Sequence, residues 1–137
     1  MIRNIELKTQ SRLIASAVAT GTIGGVVPAG MKRWVTFIAL DGAALGGTKS
    51  VRLYLASVGV SNPTVASIIA TANRKMVIDL RASGMTGKQN LTPDGPPLMI
   101  PDKPDVNKPL FSIAGGKWLG ATTSKTTALI HVQYFDE

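Results

Sequence analysis

Hydrophobic and polar side chains alternate most regularly near the end of the sequence, in residues 127–135. The residues on one face of this run are Ala128, Ile130, Val132 and Tyr134, and those on the other face are Leu129, His131, Gln133 and Phe135. Because successive side chains of a strand point to opposite sides, the first face predicts a dry core and the second a half-polar surface. A strand with two such faces is typical of a β-sandwich or of a contact with another chain.

The rest of the chain contains further short apolar or alternating runs separated by turn residues. We predict strands at 2–8, 11–19, 31–40, 50–58, 75–80 and 113–135, the last as a final hairpin containing the Gly-Gly-Lys turn at 115–117. A glycine-rich loop joins 31–40 to 50–58, so a second hairpin is expected there. Helical spacing after Asn62-Pro63 predicts a short helix at 65–72, with a strand as the alternative because the β-branched content is high.

These elements predict an all-β protein in which two antiparallel sheets pack as a sandwich with jelly-roll topology. An immunoglobulin-like arrangement is the alternative, but the cysteine and tryptophan landmarks of that fold are missing from the sequence. With 137 residues, the whole chain (1–137) is expected to form a single domain that buries a core of its own.

Residues 81–108 differ from the rest because they hold most of the prolines. Structureless loops of more than about 15 residues are uncommon inside compact domains unless they serve a purpose, so we expect this long inter-strand loop to be ordered. It contains one apolar island, residues 97–101. The island either folds back as an edge strand of its own domain or reaches a neighbouring subunit.

The first residues, 1–12, are expected to form an entry strand or an extended N-terminal arm. In an assembly, the arm and the apolar island would be covered by other subunits, since obligate interfaces bury more than about 2,000 Å². The predicted subunit and lattice interface residues are Ile2, Ile5, Leu7, Arg12, Pro97, Leu98, Met99 and Ile100.

The net charge of +7 invites a nucleic-acid interpretation, but the lysines and arginines occur singly or in pairs and few aromatics accompany them. Direct nucleic-acid binding is therefore not favoured. Residues 13–30 carry no charge, yet their glycines, threonines and proline make a poor membrane span, and Glu6 argues against a signal peptide. We expect a soluble protein without a membrane partner, made in the cytoplasm. The sequence contains no cysteine, which excludes disulfides and thiolate metal sites.

The sequence contains no recognisable catalytic signature. His131 is the single histidine, so a histidine-based metal site would need carboxylates from distant loops. Asp102 and Asp105 are flanked by lysines and are expected to form a neutralised turn. The turn at 115–117 lacks the upstream glycine and the following Ser or Thr of a phosphate loop. We predict no enzyme, no catalytic residue, no cofactor, no metal and no small-molecule substrate.

Trp34 and Trp118 are the two candidates for carbohydrate-stacking platforms. Both lie inside predicted strands next to basic residues, and neither lies in a predicted loop. Tryptophans of a core or of an interface are therefore favoured over sugar platforms.

Two segments carry a resemblance to a known family. One is the turn and strand Pro-Ala-Gly-Met-Lys-Arg-Trp-Val-Thr-Phe-Ile-Ala-Leu at 28–40, and the other is Gly-Gly-Lys-Trp-Leu-Gly-Ala-Thr-Thr-Ser at 115–124 with the alternating strand that follows. Together they resemble the small jelly-roll proteins that decorate or cement the heads of tailed phages. The resemblance implies a non-catalytic structural protein of the virion, commonly a homotrimer, bound to the major capsid protein lattice. The chain has no obvious acidic or aromatic anchor, so the lattice contacts of that family are not carried over to particular residues.

Three functions follow from these observations. A capsid decoration or cement protein of a bacteriophage virion is favoured. A tail- or fibre-associated module that binds a receptor or a carbohydrate is the alternative. A basic nucleic-acid-associated protein is the third hypothesis.

Overall fold

A computed structural model describes residues 5–14, 20–41, 50–82, 90–91, 98–101, 103–123 and 128–137. The strands are β1 (Lys8–Ile14), β2 (Thr20–Ile23), β3 (Lys32–Asp41), β4 (Ser50–Val58), β5 (Arg74–Ala82), β6 (Asn90–Leu91), β7 (Leu98–Ile100), β8 (Phe111–Ala114), β9 (Trp118–Thr123) and β10 (Ala128–Asp136), and the helix is α1 (Val65–Ile69). In this part of the chain no helix has the length and apolar character needed to cross a membrane.

The strands pair in a nested order. β1 pairs with β10, β2 with β9, β3 with both β7 and β8, and β4 with β5, as though one long antiparallel hairpin had been rolled up. Two further antiparallel pairs, β10 with β3 and β9 with β4, and one short parallel pair, β5 with β6, complete the two sheets. Sheet A has the order β1-β10-β3-β7 with β8 also on β3, and sheet B has the order β2-β9-β4-β5-β6. This nesting is that of a jelly roll, and the predicted all-β sandwich is confirmed.

One hydrophobic core fills the space between the sheets. Its fully buried members include Val35, Ile38 and Leu40 of β3, Leu53 and Leu55 of β4, Leu119 and Ala121 of β9, and Ile130 and Val132 of β10. The inward face predicted for the last strand is therefore confirmed, because Ile130, Val132 and Tyr134 of β10 all belong to the core. On the opposite face of that strand His131 and Gln133 remain partly exposed.

A β-bulge in β3 keeps both halves of that strand facing the core. Val35 pairs with Tyr134 and Phe37 pairs with Gln133, which leaves Thr36 between the two pairs. The buried hydroxyl of Thr36 donates to the backbone oxygen of Gln133 at 3.2 Å. Because the extra residue shifts the alternation by one, Val35 before it and Ile38 after it both point inward.

Both predicted hairpins are wrong, because the strands concerned lie in opposite sheets. β3 belongs to sheet A and β4 to sheet B, and β9 lies in sheet B between β8 and β10, which lie in sheet A. In a sandwich, a connection that crosses the core to the other sheet leaves the same alternating pattern as one that turns back within a sheet. The pattern therefore locates strands without assigning them to sheets.

The helix predicted after residue 63 is confirmed as α1, which covers part of the outer face of sheet B. The Thr64 hydroxyl caps it by accepting a hydrogen bond from the Ser67 amide at 3.2 Å. Ile68 is fully buried against Ala56 and Val58 of β4. The outer face of this sheet is thus apolar where α1 lies, and the helix shields it from water.

The predicted arm and the apolar island both contribute strands to sheet A. β1 contains residues 8–12 of the arm and pairs along its whole length with β10. β7 pairs with β3, so the island adopts the first of its two sequence-based alternatives, an edge strand of its own domain. Ile2 and Pro97 lie outside the described residues, as does much of the long loop at 81–108.

Candidate interaction surface

Three connections meet at one end of the sandwich, which we call the loop end. They are residues 24–31 between β2 and β3, residues 59–64 between β4 and α1, and residues 115–117 between β8 and β9. β9 begins beside the last residues of both β2 and β4, and β8 ends beside the first residue of β3. The three connections therefore leave the strands at the same end.

Backbone hydrogen bonds fasten the first of these loops to the third. The Val27 amide donates to the Lys117 carbonyl oxygen at 2.9 Å, and the Gly116 amide donates to the Val27 carbonyl oxygen at 2.8 Å. Gly115 lies so close to the first loop that a Cβ at this position would be only 2.7 Å from the Pro28 carbonyl oxygen. The two turns singled out in the sequence are therefore packed against each other as one unit.

The second loop lies against the same unit. The Thr22 hydroxyl, on β2, donates a long hydrogen bond of 3.5 Å to the Ser61 carbonyl oxygen. The Lys117 ammonium lies 3.5 Å from the position that a Cβ on Gly59 would occupy. The second loop therefore lies next to β2 and to the loop at 115–117, which is itself bonded to the first loop.

A buried ion pair lies beneath the loop end. Arg33, 3% exposed, donates from Nε and Nη2 to the two carboxylate oxygens of Asp136 at 2.8 and 3.0 Å. Its Nη1 donates to the Gly25 carbonyl oxygen at 2.7 Å, and its guanidinium carbon lies 4.1 Å from the centre of the Tyr134 ring. Such forked, charge-assisted bonds fix geometry well, so Arg33 ties β3, β10 and the first loop together.

The loop end concentrates exposed apolar side chains. Among the described residues seven large hydrophobic side chains are exposed, and three of them belong to these loops: Val26 (44%), Met31 (37%) and Val60 (56%). Two more flank the same end, Leu7 just before β1 and Ile69 at the end of α1. Apolar side chains clustered on loops held by a rigid scaffold are typical of a protein-binding surface.

The interface residues predicted from the sequence are spread over the molecule. The exposed ones are Leu7, Arg12 and Met99, and the partly buried ones are Ile5 and Ile100. Ile100 packs against the core, and Arg12 donates from Nη1 to the Thr22 carbonyl oxygen at 3.3 Å. Leu98 is paired within β7, opposite Leu40 of β3. A contact between any of these residues and a partner subunit stays a prediction.

Sequence reasoning missed the residues that form the loop end. Val26, Met31 and Val60 were not assigned to an interface, because Val26 and Val60 lie in or beside turns and Met31 is the first residue of the strand predicted at 31–40. The signal that was present is an apolar side chain next to turn glycines, at Gly25-Val26, Gly30-Met31 and Gly59-Val60. Gly, Pro, Asn, Asp and Ser dominate turns, so several apolar residues beside turn glycines are candidates for a contact surface once the fold brings them to one end.

The residues considered for chemistry have local structural partners. His131 Nδ1 lies 2.6 Å from the Ser11 hydroxyl oxygen, across the pairing of β1 with β10. The Asp105 carboxylate accepts a hydrogen bond from the backbone amide of Asn107 at 2.9 Å. Asp102 lies outside the described residues. No group of three His, Cys, Asp or Glu side chains that could hold a metal ion occurs in the part of the chain that the structure describes.

The two tryptophans have different surroundings. Trp118 packs against the cluster beneath α1. Trp34 lines a pocket of about 200 Å³ whose other lining residues are Val106, Asn107, Pro109 and Phe135. The Lys32 ammonium lies 5.8 Å from the centre of the Trp34 ring. The pocket lining thus combines two aromatic residues with the polar residue Asn107.

Comparison of the chain with protein-family models, with curated proteins and with solved structures found no match.

We predict that Gly115→Ala destabilises the protein by about 1–3 kcal/mol, because the new methyl group would press against backbone atoms that have no room to move. The matched control is Gly25→Ala in the adjoining loop, where a Cβ meets nothing within 4 Å. Urea unfolding of the two variants measures the difference. Equal stabilities would contradict the packed loop end.

We predict that Asp136→Asn lowers the free energy of unfolding by about 3 kcal/mol, because it leaves the Arg33 charge buried without its counter-ion. Glu6→Gln removes the same charge from an exposed position and should change stability by no more than about 0.5 kcal/mol. Chemical denaturation at neutral pH checks both values. Similar losses of unfolding free energy in the two variants would mean that the ion pair does not stabilise the protein.

Proposed function

We propose that this chain is a non-enzymatic virion structural protein that decorates or cements the head lattice of a tailed phage. In this proposal the protein is made in the host cytoplasm, forms a homo-oligomer such as a trimer, and binds the major capsid protein. The loop end is the surface that faces the lattice. The observation that carries the proposal is that three exposed apolar side chains lie on loops at that end, where backbone hydrogen bonds join the loop at 24–31 to the loop at 115–117.

Rigidity supports this role because a cement protein gains affinity when little conformational entropy is lost on binding. The loops at 24–31 and 115–117 are joined by two backbone hydrogen bonds, and Arg33 fixes the first of them from below. The exposed apolar residues are thus presented in one arrangement before a partner arrives. Jelly rolls are common among viral capsid proteins, although a fold does not by itself define a function.

The charge balance supports the same proposal. The chain has a net charge of +7, and the exposed Lys32 and Lys117 lie at the loop end beside the apolar residues. A basic surface around an apolar centre complements an acidic protein lattice and steers the approach to it.

A tail- or fibre-associated carbohydrate-binding module is the second candidate, and the Trp34 pocket is the observation that favours it. Ligand pockets combine apolar walls with a few polar groups that fix orientation. Here Trp34 offers the wall, and Asn107 is the polar residue among those that line the pocket. At about 200 Å³ the pocket is small, so a single sugar unit is the ligand to test.

The decoration proposal predicts that the purified protein adds to particles of the tailed phage whose genome encodes it. The double variant Val26→Asp with Val60→Asp should stay folded and lose this addition, because each carboxylate would have to be buried at the contact. The control is Val77→Asp, an exposed valine on β5 outside the loop end. Electron microscopy and co-sedimentation measure addition, and circular dichroism measures folding.

Undiminished addition by the double variant would exclude the loop end as the lattice surface. Absence of the wild-type chain from the head in labelled native particles would exclude the decoration role itself.

The carbohydrate alternative predicts that a panel of neutral and acidic monosaccharides shifts the side-chain amide resonances of Asn107, which also lines the pocket, in NMR titrations, and that Trp34→Leu abolishes this response. Phe37→Leu is the control, because this half-buried aromatic side chain of β3 is not one of the pocket-lining residues. A response that survives Trp34→Leu, or no response at all, would remove the pocket as a sugar site.

A further inference from the structure

β1 forms one edge of sheet A. One edge of β1 pairs with β10, and in the described part of the chain no strand pairs with its other edge. The side chains of residues 6–12 are all exposed. A free strand edge presents unpaired backbone N–H and C=O groups at regular spacing, which makes it a template for one more strand.

The edge is held in a fixed position by side-chain contacts on both faces of the sheet. On the outer face, Ser11 is hydrogen-bonded to His131 at 2.6 Å. On the inner face, Arg12 reaches across to sheet B, where Nη1 donates to the Thr22 carbonyl oxygen and the guanidinium lies over Gly21. β1 is therefore a preformed docking edge that need not order itself when a partner binds.

The face of β1 that is turned toward sheet B carries two basic side chains. Lys8, Gln10 and Arg12 pair with β10 residues whose side chains belong to the core, so these three side chains share the inward side of sheet A. They remain exposed because the sandwich is open along β1. An additional strand would place its own inward side chains beside Lys8 and Arg12.

We propose that the free edge of β1 accepts an extended, acidic segment of another protein as an additional strand of sheet A. Backbone hydrogen bonds would join the segment to β1, and carboxylates at every second position would pair with Lys8 and Arg12. Charged side chains on an edge discourage pairing with unselected strands, so the same two residues supply selectivity.

A second copy of this chain fits the free edge of β1 less well than an acidic segment does. β1 itself contains no aspartate or glutamate, so pairing of two β1 strands would bring two copies of Lys8 and Arg12 together without a carboxylate from either strand. Like charges on neighbouring strands destabilise a sheet. The proposal concerns a contact separate from the loop end and does not rest on the decoration role.

The test uses a capped heptapeptide that alternates Asp or Glu with Thr or Val. Two control peptides are a scrambled sequence of the same composition, and the same sequence N-methylated at every second amide on its pairing side. We expect hydrogen exchange at the outward amides of β1 to slow when the first peptide is added. Calorimetry should show binding about tenfold weaker for the N-methylated peptide, because it keeps the charges but loses the backbone bonds.

Lys8→Glu should weaken binding of the acidic peptide about tenfold, whereas Lys75→Glu, the same change at an exposed site on β5, should leave it unchanged. Equal affinity of the N-methylated peptide, or equal effects of the two substitutions, would overturn the inference. Dimers in light scattering that show the same β1 protection without peptide would overturn the choice of partner. The Val26→Asp and Val60→Asp double variant should still bind the peptide, which separates this test from that of the decoration role.

Discussion

The pairing of β10 with β3 at the centre of sheet A is the contact on which the rest of the structure depends. β10, the last strand, also pairs with β1, the first described strand. Its inward side chains Ile130, Val132 and Tyr134 close the core from this side. The bulge at Thr36 allows β3 to follow β10 to its end, where Arg33 and Asp136 meet. The register that pairs the two strands therefore also places the two members of the buried ion pair opposite each other.

The ion pair links the core to the surface. Arg33 binds the last residues of β10 and also the Gly25 carbonyl oxygen, and the loop that contains Gly25 is bonded in turn to the loop at 115–117. A surface built from turns would ordinarily be the most mobile part of a domain. Here the loop at 24–31 is bonded to Arg33 of β3 and to the loop at 115–117. The side chains of Val26 and Met31 on this loop are exposed to solvent.

The sequence pattern predicted the strands and the core well, because burial between two sheets imposes an alternation that can be read in residues such as Ile130 and Val132. It could not assign strands to sheets, since a connection across the core and a hairpin leave the same alternation. The loop end was missed for a different reason. Its exposed apolar residues come from two separate connections, 24–31 and 59–64, and only the nested pairing brings these connections to the same end. The basic side of β1 was hidden as well, because its inward orientation follows from its register with β10.

The two proposed contact surfaces are neighbours, and their arrangement bears on how a partner would be held. β1 begins opposite Tyr134, close to the ion pair, so its free edge starts at the loop end and runs away from it. Leu7 lies at that junction and is 43% exposed. A partner seated on the loop end would thus have the β1 edge within reach of any extended segment that leaves its surface. Two modest contacts joined by a short link hold far better than either alone, because the second forms at a high effective concentration. An acidic extension next to an apolar docking site is therefore the arrangement on a partner that would use both surfaces of this protein.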